Sequence, residues 1–229
     1  MRAIEVPKSL VEQVYEVVLD AISVGSLRPG ERLNQDDLAR KLDVSRQPLN
    51  SALERLKAEG FVETTGRRGV VVAPIDNKLS EAIYEFRTAV DPLAVRLATA
   101  RIDAQAIAAA REIITRGKNM VAAGDAAQVV QADIDFHLWI YQLSGNPIIV
   151  ATMERNWRHL RRSMSEVLRS PGMSRQLWIE HQRILDSMTK GNADMAADLM
   201  LKHILGAPER LGLSAGRSQG AKTARSKNA

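Results

Sequence analysis

The sequence predicts a mainly α protein: a winged helix-turn-helix over residues 1–74, then an all-helical bundle of about six helices. Three observations predict it. The first third runs helix, short helix, turn, helix, and closes on two β-rich stretches. From residue 79 onward, apolar side chains recur at helical spacing. The breaks between these stretches are made of residue types that stop and start helices.

The elements follow in order. Ser9 to Val24 places Leu10, Val14, Val17, Val18, Ala21 and Ile22 at helical spacing. Gly25 ends that helix, and LRPGERL reads as a turn around Pro29-Gly30. Asn34 caps a short helix over Gln35 to Leu42, with Asp37 at its third position. Asp43-Val44-Ser45 is the next turn, and Ser45 caps a helix from Arg46 to Glu59 that stops at Gly60. FVETTGRRGVVVAP predicts a hairpin, with two short β-rich runs around a Gly-Arg-Arg-Gly loop.

Residues 75–78 read as a linker. Helices are then predicted at about 79–101, 103–123, 125–144, 146–169, 173–190 and 192–206, the last extending towards 212. Gly124-Asp125, Asn146-Pro147, Ser170-Pro171-Gly172 and Gly191-Asn192 separate them. The helical stretch as a whole spans 79–212. The tail, 213–229, is small, polar and basic, a composition that predicts disorder.

Composition narrows the function classes. The chain has 229 residues and no cysteine, which excludes disulfides, thiolate metal sites and cysteine nucleophiles. No apolar run approaches the roughly 20 residues that span a bilayer. Met1 to Val14 is charged and lacks the apolar segment of a signal peptide. The expected location is the cytoplasm, without membrane contact. The formal net charge is +5, but residues 206–229 alone hold five basic side chains and one acidic one. Global charge is therefore weak evidence for a nucleic-acid partner, and the local pattern has to make that case.

The local pattern makes it in the third helix. Leu49, Ala52, Leu53 and Leu56 form one stripe. Arg46, Gln47, Asn50, Ser51 and Glu54 fall opposite. In a major groove, Arg46, Gln47 and Asn50 would face base edges, because they lie in the N-terminal half of the helix. Arg can grip guanine at two points, and Asn or Gln can grip adenine. Ser45 and the free N–H groups at the helix start suit a phosphate. Arg67 and Arg68, at the hairpin tip, suit a backbone or a minor groove. The bland alternative is a solvated polar face and an ordinary loop.

The later chain holds a second signal. Asp133 and His137 are four apart in DIDFHLWIYQLSG, so they share a helix face. His181 and His203 fall on two later helices. One carboxylate and three imidazoles, once brought together, can bind a divalent transition metal. Taken singly, each histidine is more often a surface or hydrogen-bonded core residue.

The segment GSLRPGERLNQDDLARKLDVSRQPLNSALERLKAEGFVETTGRRGVVVAP resembles the N-terminal winged helix of GntR-family regulators. The resemblance rests on the Pro-Gly-Glu-Arg-Leu turn, Leu38-Ala39, Val44-Ser45-Arg46, Pro48, Ala52-Leu53, Leu56, Glu59-Gly60 and Gly69. The family has Arg-Glu where this chain has Asn50-Ser51, and often Arg or Glu at Gln35-Asp36. Asn50 is therefore expected to shift base preference. Residues 79–206 resemble the helical effector domain of the FadR branch, called FCD, in its smaller VanR-like form. YEFRTAVDPLAVRLA, DIDFHLWIYQLSGNP, IEHQRILDSM and ADLMLKHI carry that likeness.

The resemblance implies that Asp133, His137, His181 and His203 are metal ligands. The ion would be Zn, Ni, Mn or Fe, a range that neutral imidazoles and one carboxylate suit. Four ligands could close a tetrahedral site or leave two octahedral positions open. His159 lies 22 residues from both His137 and His181, but the family does not use its position. Arg87 is implied as the anchor for a small organic acid, by a charge-assisted fork. An internal ion pair with Asp91, four residues on, is the rival reading. Most of Arg155, Arg158, Arg161 and Arg162 should be solvated or face a neighbouring domain.

The expected function is regulatory, with no enzymatic activity. The resemblance implies a homodimer that binds a double-stranded DNA operator as a repressor, by family habit, with affinity controlled by a small carboxylate beside the metal. One rival is a regulator that senses metal alone. Another is a metal-dependent hydrolase. Against the hydrolase, there is no adjacent His-Asp pair and no second acid stands out beside the histidines. A purely architectural DNA binder would leave the histidines idle.

Overall fold

A computed structural model describes residues 8–66, 69–167 and 171–210. The chain forms two compact units, Met1–Ile75 and Asp76–Ala229. The first begins with α1 (Leu10–Ser23), β1 (Arg32–Leu33) and α2 (Gln35–Lys41). It continues with α3 (Arg46–Ala58), β2 (Val62–Thr65) and β3 (Gly69–Val72). The second holds α4 (Asn77–Thr99), α5 (Ala104–Ala123) and α6 (Ala126–Leu143), then α7 (Pro147–Val167), α8 (Pro171–Thr189) and α9 (Ala193–Arg210). The mainly helical fold read from the sequence is the observed one.

In the first unit α1 packs on α3, and α2 closes against α3. Tyr15, Val18 and Ile22 of α1 meet Leu49, Leu53 and Leu56 of α3, with Phe61 just ahead of β2 and Val72 of β3, all buried in one apolar cluster. A buried aliphatic or aromatic side chain of this kind contributes roughly 1.5–3 kcal/mol. The sheet runs β1-β3-β2, antiparallel, with Val62 opposite Val72 and Thr65 opposite Gly69. The first strand is an addition to the sequence reading, which saw only a turn at LRPGERL. Gly30 takes a left-handed φ of 78°, and its N–H donates to the Val72 carbonyl at 2.8 Å. That bond seats the turn on β3, where Leu33 pairs with Val70. Asp43 takes φ 52° between α2 and α3, a conformation that Asp tolerates better than most residues.

The second unit is a helical bundle. Its α4 packs on α9, α6 and α7, while α5 packs on α6 and α8. Caps set the ends. Asp76 accepts from the Leu79 N–H at 3.0 Å, so α4 starts two residues earlier than its apolar pattern suggested. Asp103 and Asp125 cap α5 and α6 in the same way, and Asn146 accepts from the Ile148 N–H at 3.0 Å ahead of Pro147. Pro171 opens α8, rather than standing in the break before it. One close approach is exacting. A Cβ at Gly117 of α5 would lie 2.0 Å from Cζ2 of the buried Trp178, so only glycine lets α5 and α8 meet at this spacing.

Candidate metal centre and nucleic-acid interface

One region of the bundle core gathers buried ionisable side chains. There α6 contributes Asp133 and His137, α8 contributes His181, and α9 contributes His203, all four buried. One donor atom from each lies within 4.8 Å of the other three. His203 Nε2 is 3.3 Å from His137 Nε2 and 3.4 Å from His181 Nε2. His181 Nε2 is 3.3 Å from Asp133 Oδ1. The four residues singled out in the sequence converge, and His159, half-buried on α7, is not one of them.

These donors fit a divalent ion. Two or more imidazole nitrogens turned on one another make poor partners unless something positive or protic lies between them. A carboxylate completes an N/O donor set suited to Zn, Ni, Mn or Fe. Neutral imidazole is the ligating form. Burial pushes the His137 imidazole well below its usual range, and the Arg87 charge, His203 and His181 push it the same way. The ring is therefore neutral at physiological pH.

Beside the cluster lies a buried polar chain. Arg87 and Asp91 of α4 form an ion pair, with Nε donating to Oδ2 at 3.0 Å. Arg87 Nη2 also lies 3.2 Å from His137 Nδ1. Tyr141 donates its hydroxyl to Asp91 Oδ1 at 2.7 Å. The Arg87 guanidinium stacks over Trp157, 4.3 Å from the ring centroid. Burial opposes the Arg87 charge, but Asp91, Tyr141, Tyr84 and Asp133 outweigh it, and the guanidinium is held protonated more firmly than usual. Burial and Asp91 push the Tyr141 hydroxyl well up, so it keeps its proton as a donor. The pairing of Arg87 with Asp91 thus exists alongside the contact that Arg87 makes with the histidine cluster.

Sequence reasoning passed over two members of this centre. Tyr141 stands four residues beyond His137 on the same face of α6. Glu180 accepts from His203 Nδ1 at 2.8 Å, which corrects the reading that no second acid stands beside the histidines. Among the α7 arginines, Arg155 is exposed, Arg158 and Arg161 are half-buried, and Arg162 is buried.

In the first unit α3 carries Pro48, Leu49, Ala52, Leu53 and Leu56 inward, and leaves Ser45, Arg46, Gln47, Asn50, Ser51 and Glu54 exposed. Ser45 holds the N-cap position, but its hydroxyl makes no capping bond, contrary to the expected side-chain cap. Arg46 pairs with Asp36 of α2. These two line a polar hollow with Arg32, Asn34, Gln35 and Gly69, beside the start of α3. Arg67 and Arg68 lie outside the described residues. Among the described residues, no helix is long and apolar enough to cross a membrane.

Known proteins share both units. Residues 82–206 match the FCD domain family, and residues 10–72 match the bacterial regulatory proteins of the gntR family. The Nta operon transcriptional regulator of Aminobacter aminovorans is 34% identical over 182 residues, 77% of this chain and 82% of that protein. The HTH-type transcriptional regulator McbR of Escherichia coli is 28% identical over 149 residues, 65% of this chain and 67% of that protein. A solved structure of E. coli McbR/YncC shares the fold, with a TM-score of 0.80 at 22% identity, over 91% of this chain and all of that one. The winged reading unit, the helical unit and these relatives lead to one conclusion: the chain is a DNA-binding transcription regulator, not an enzyme, and belongs to the GntR family in its FCD branch.

Proposed function

We propose that this regulator is a homodimeric repressor whose operator affinity is set by a small organic acid bound beside a divalent metal. The observation that carries the reading is the convergence of Asp133, His137, His181 and His203, all buried, within 4.8 Å. Burying four such groups in an apolar core is costly unless they are paired or hold an ion. Bound there, a divalent ion supplies a Lewis-acidic centre for a carboxylate oxygen. Arg87, one hydrogen bond from His137, supplies a planar cation for the rest of that carboxylate. Binding would then bias the packing of α4 against α6 and α9, and coupling of this kind is typically about 1–3 kcal/mol.

DNA contact falls to the exposed start of α3. Arg46, Gln47 and Asn50 face the bases, and Ser45 with the free N–H groups of the first turn holds a phosphate. Arg67 and Arg68, between β2 and β3, are assigned to the backbone or minor groove by their place in the chain. Leu79, Phe86 and Leu93 are exposed at seven-residue spacing along α4, the repeat of a helix-pairing seam, and support self-association. A DNA reader works where the chromosome is, which places the protein in the cytoplasm.

A second reading, metal sensing without an organic effector, is favoured by one observation: Arg87 already has a carboxylate partner in Asp91. One experiment separates the two. Metal-analysed protein is screened by thermal shift against small carboxylates, with and without chelator, and the operator affinity is measured for each hit. The first reading requires stabilisation that needs the metal and is lost in Arg87→Lys, which keeps charge but not the planar fork. Operator affinity that tracks free metal while every carboxylate is inert would replace it with the second. Protein that takes up no divalent metal would overturn both.

A further inference from the structure

We propose that Glu180 is a positioning residue of the metal centre: its carboxylate holds His203 as the Nδ1–H tautomer, so that the Nε2 lone pair faces the cluster. The inference rests on the metal reading above and assigns to that site a residue outside its four donors.

A neutral imidazole carries one ring proton and one lone pair, and whichever nitrogen keeps the proton cannot ligate. His203 Nε2 is the inward atom, 3.3 Å from His137 Nε2 and 3.4 Å from His181 Nε2. His203 Nδ1 is the outward atom, 2.8 Å from Glu180 Oε2. A carboxylate can only accept at this contact, so the proton belongs on Nδ1. The ring is otherwise sealed, with its side chain 3% exposed against 20% for Glu180. Glu180 thus keeps part of its hydration while addressing a buried ring. Its other oxygen accepts from Gln176 Nε2 at 3.3 Å, one turn back on α8, so both oxygens are engaged.

The placement has a helical logic. Glu180 and His181 are neighbours on α8. One helix therefore supplies a donor directly, through His181, and orients the donor that α9 supplies, through Glu180. Asp91 does not play this part for His137, because its Oδ2 lies 3.6 Å from Nδ1, beyond hydrogen-bond reach. Carboxylates that back a ligating histidine raise its strength as a donor, and their removal typically costs about 10–100-fold in metal affinity.

The test uses the full chain with Zn²⁺ as probe, in competition with a chromogenic chelator, for wild type, Glu180→Gln and Glu180→Ala. Glu180→Ala is expected to weaken zinc binding by roughly 10–100-fold. Glu180→Gln is expected to weaken it less, because an amide oxygen still accepts from Nδ1 but carries no charge. Long-range ¹H–¹⁵N correlation spectra of the metal-free protein should show His203 as Nδ1–H in wild type and Glu180→Gln, and as a mixture or as Nε2–H in Glu180→Ala. A generic packing defect would not move that signature. Unchanged zinc affinity in Glu180→Ala, or an Nε2–H His203 in wild type, would overturn the proposal. Should Glu180→Ala not fold, Glu180→Leu, which fills the space without an acceptor, takes its place: equal affinity to wild type sinks the claim. Wild type that shows the Nδ1–H form but binds no zinc would remove the metal reading itself, and the positioning role with it.

Discussion

The reading helix α3 and the site helix α6 solve opposite problems with the same geometry. On α3 the two faces are kept apart: Leu49, Leu53 and Leu56 point into the core while Arg46, Gln47 and Asn50 face solvent. On α6 they are merged. Asp133, His137 and Tyr141 follow one another at four-residue steps on a face that is itself buried, among Phe136 and Ile140. On the proposed reading, function on α3 is added outside the fold, whereas function on α6 is carved from the core. Changes to α3 should alter binding and leave stability alone, and changes around α6 should alter both.

The largest effect tests the buried side of that contrast. Asp91→Ala leaves the Arg87 charge stranded and should cost about 3–5 kcal/mol in urea unfolding, whereas the joint replacement Arg87→Met with Asp91→Leu should cost far less. Equal losses in the two would mean that the stranded Arg87 charge is not the source of the cost. Next comes Gly117→Ala, which forces a methyl into Trp178 and should cost about 1–3 kcal/mol. Gly124→Ala is its control: it has open space but a φ of 73°, so its cost should be nearer 1 kcal/mol. On the exposed side, Arg46→Ala should lose about 1–3 kcal/mol of operator affinity, while the loss of its exposed pair with Asp36 should cost only about 0–1 kcal/mol in unfolding. A stability loss there well above about 1 kcal/mol would break the contrast.

Acid should also separate the units. The folded-state pKa of His137 is pushed down, so the unfolded chain takes up a proton first as pH falls below the ordinary histidine value of about 6.5. Stability of the metal-free protein is therefore flat above that value and falls below it, by at most about 1.4 kcal/mol per pH unit for this one group. Urea midpoints measured across that range, in wild type and His137→Gln, check the sign: the variant should show a shallower fall. The smallest effect is expected at the exposed pair of Arg96 and Asp194, where Arg96→Ala should shift thermal unfolding by the equivalent of about 0–1 kcal/mol.

Much of this was legible before the structure. Helical spacing and capping residues announced the order of helices, and the i, i+4 step placed Asp133 with His137 and Arg87 with Asp91. The convergence of His181 and His203 on them was legible only through family likeness, because helix packing is non-local. What stayed hidden has local physical reasons. A two-residue strand such as Arg32–Leu33 has no periodicity to read. Tyr141 sits where an aromatic core residue would sit. Glu180 looks like one more solvated charge, because its partner is on another helix. Ser45 occupies its cap position as expected, but a position alone does not settle where a hydroxyl points.

The aromatic surroundings of the cluster have an optical consequence. Trp157 lies 5.1 Å from the His137 ring and Trp178 lies 5.0 Å from the His181 ring, centroid to centroid. The chain has three tryptophans, and two of them thus lie against the donors. An open-shell ion there would quench their emission, whereas Zn²⁺, with its filled d shell, would leave it largely bright. On the metal reading proposed above, the unlabelled protein would carry its own fluorescent gauge of which ion the cluster holds, readable in a cuvette before any ion is identified by mass.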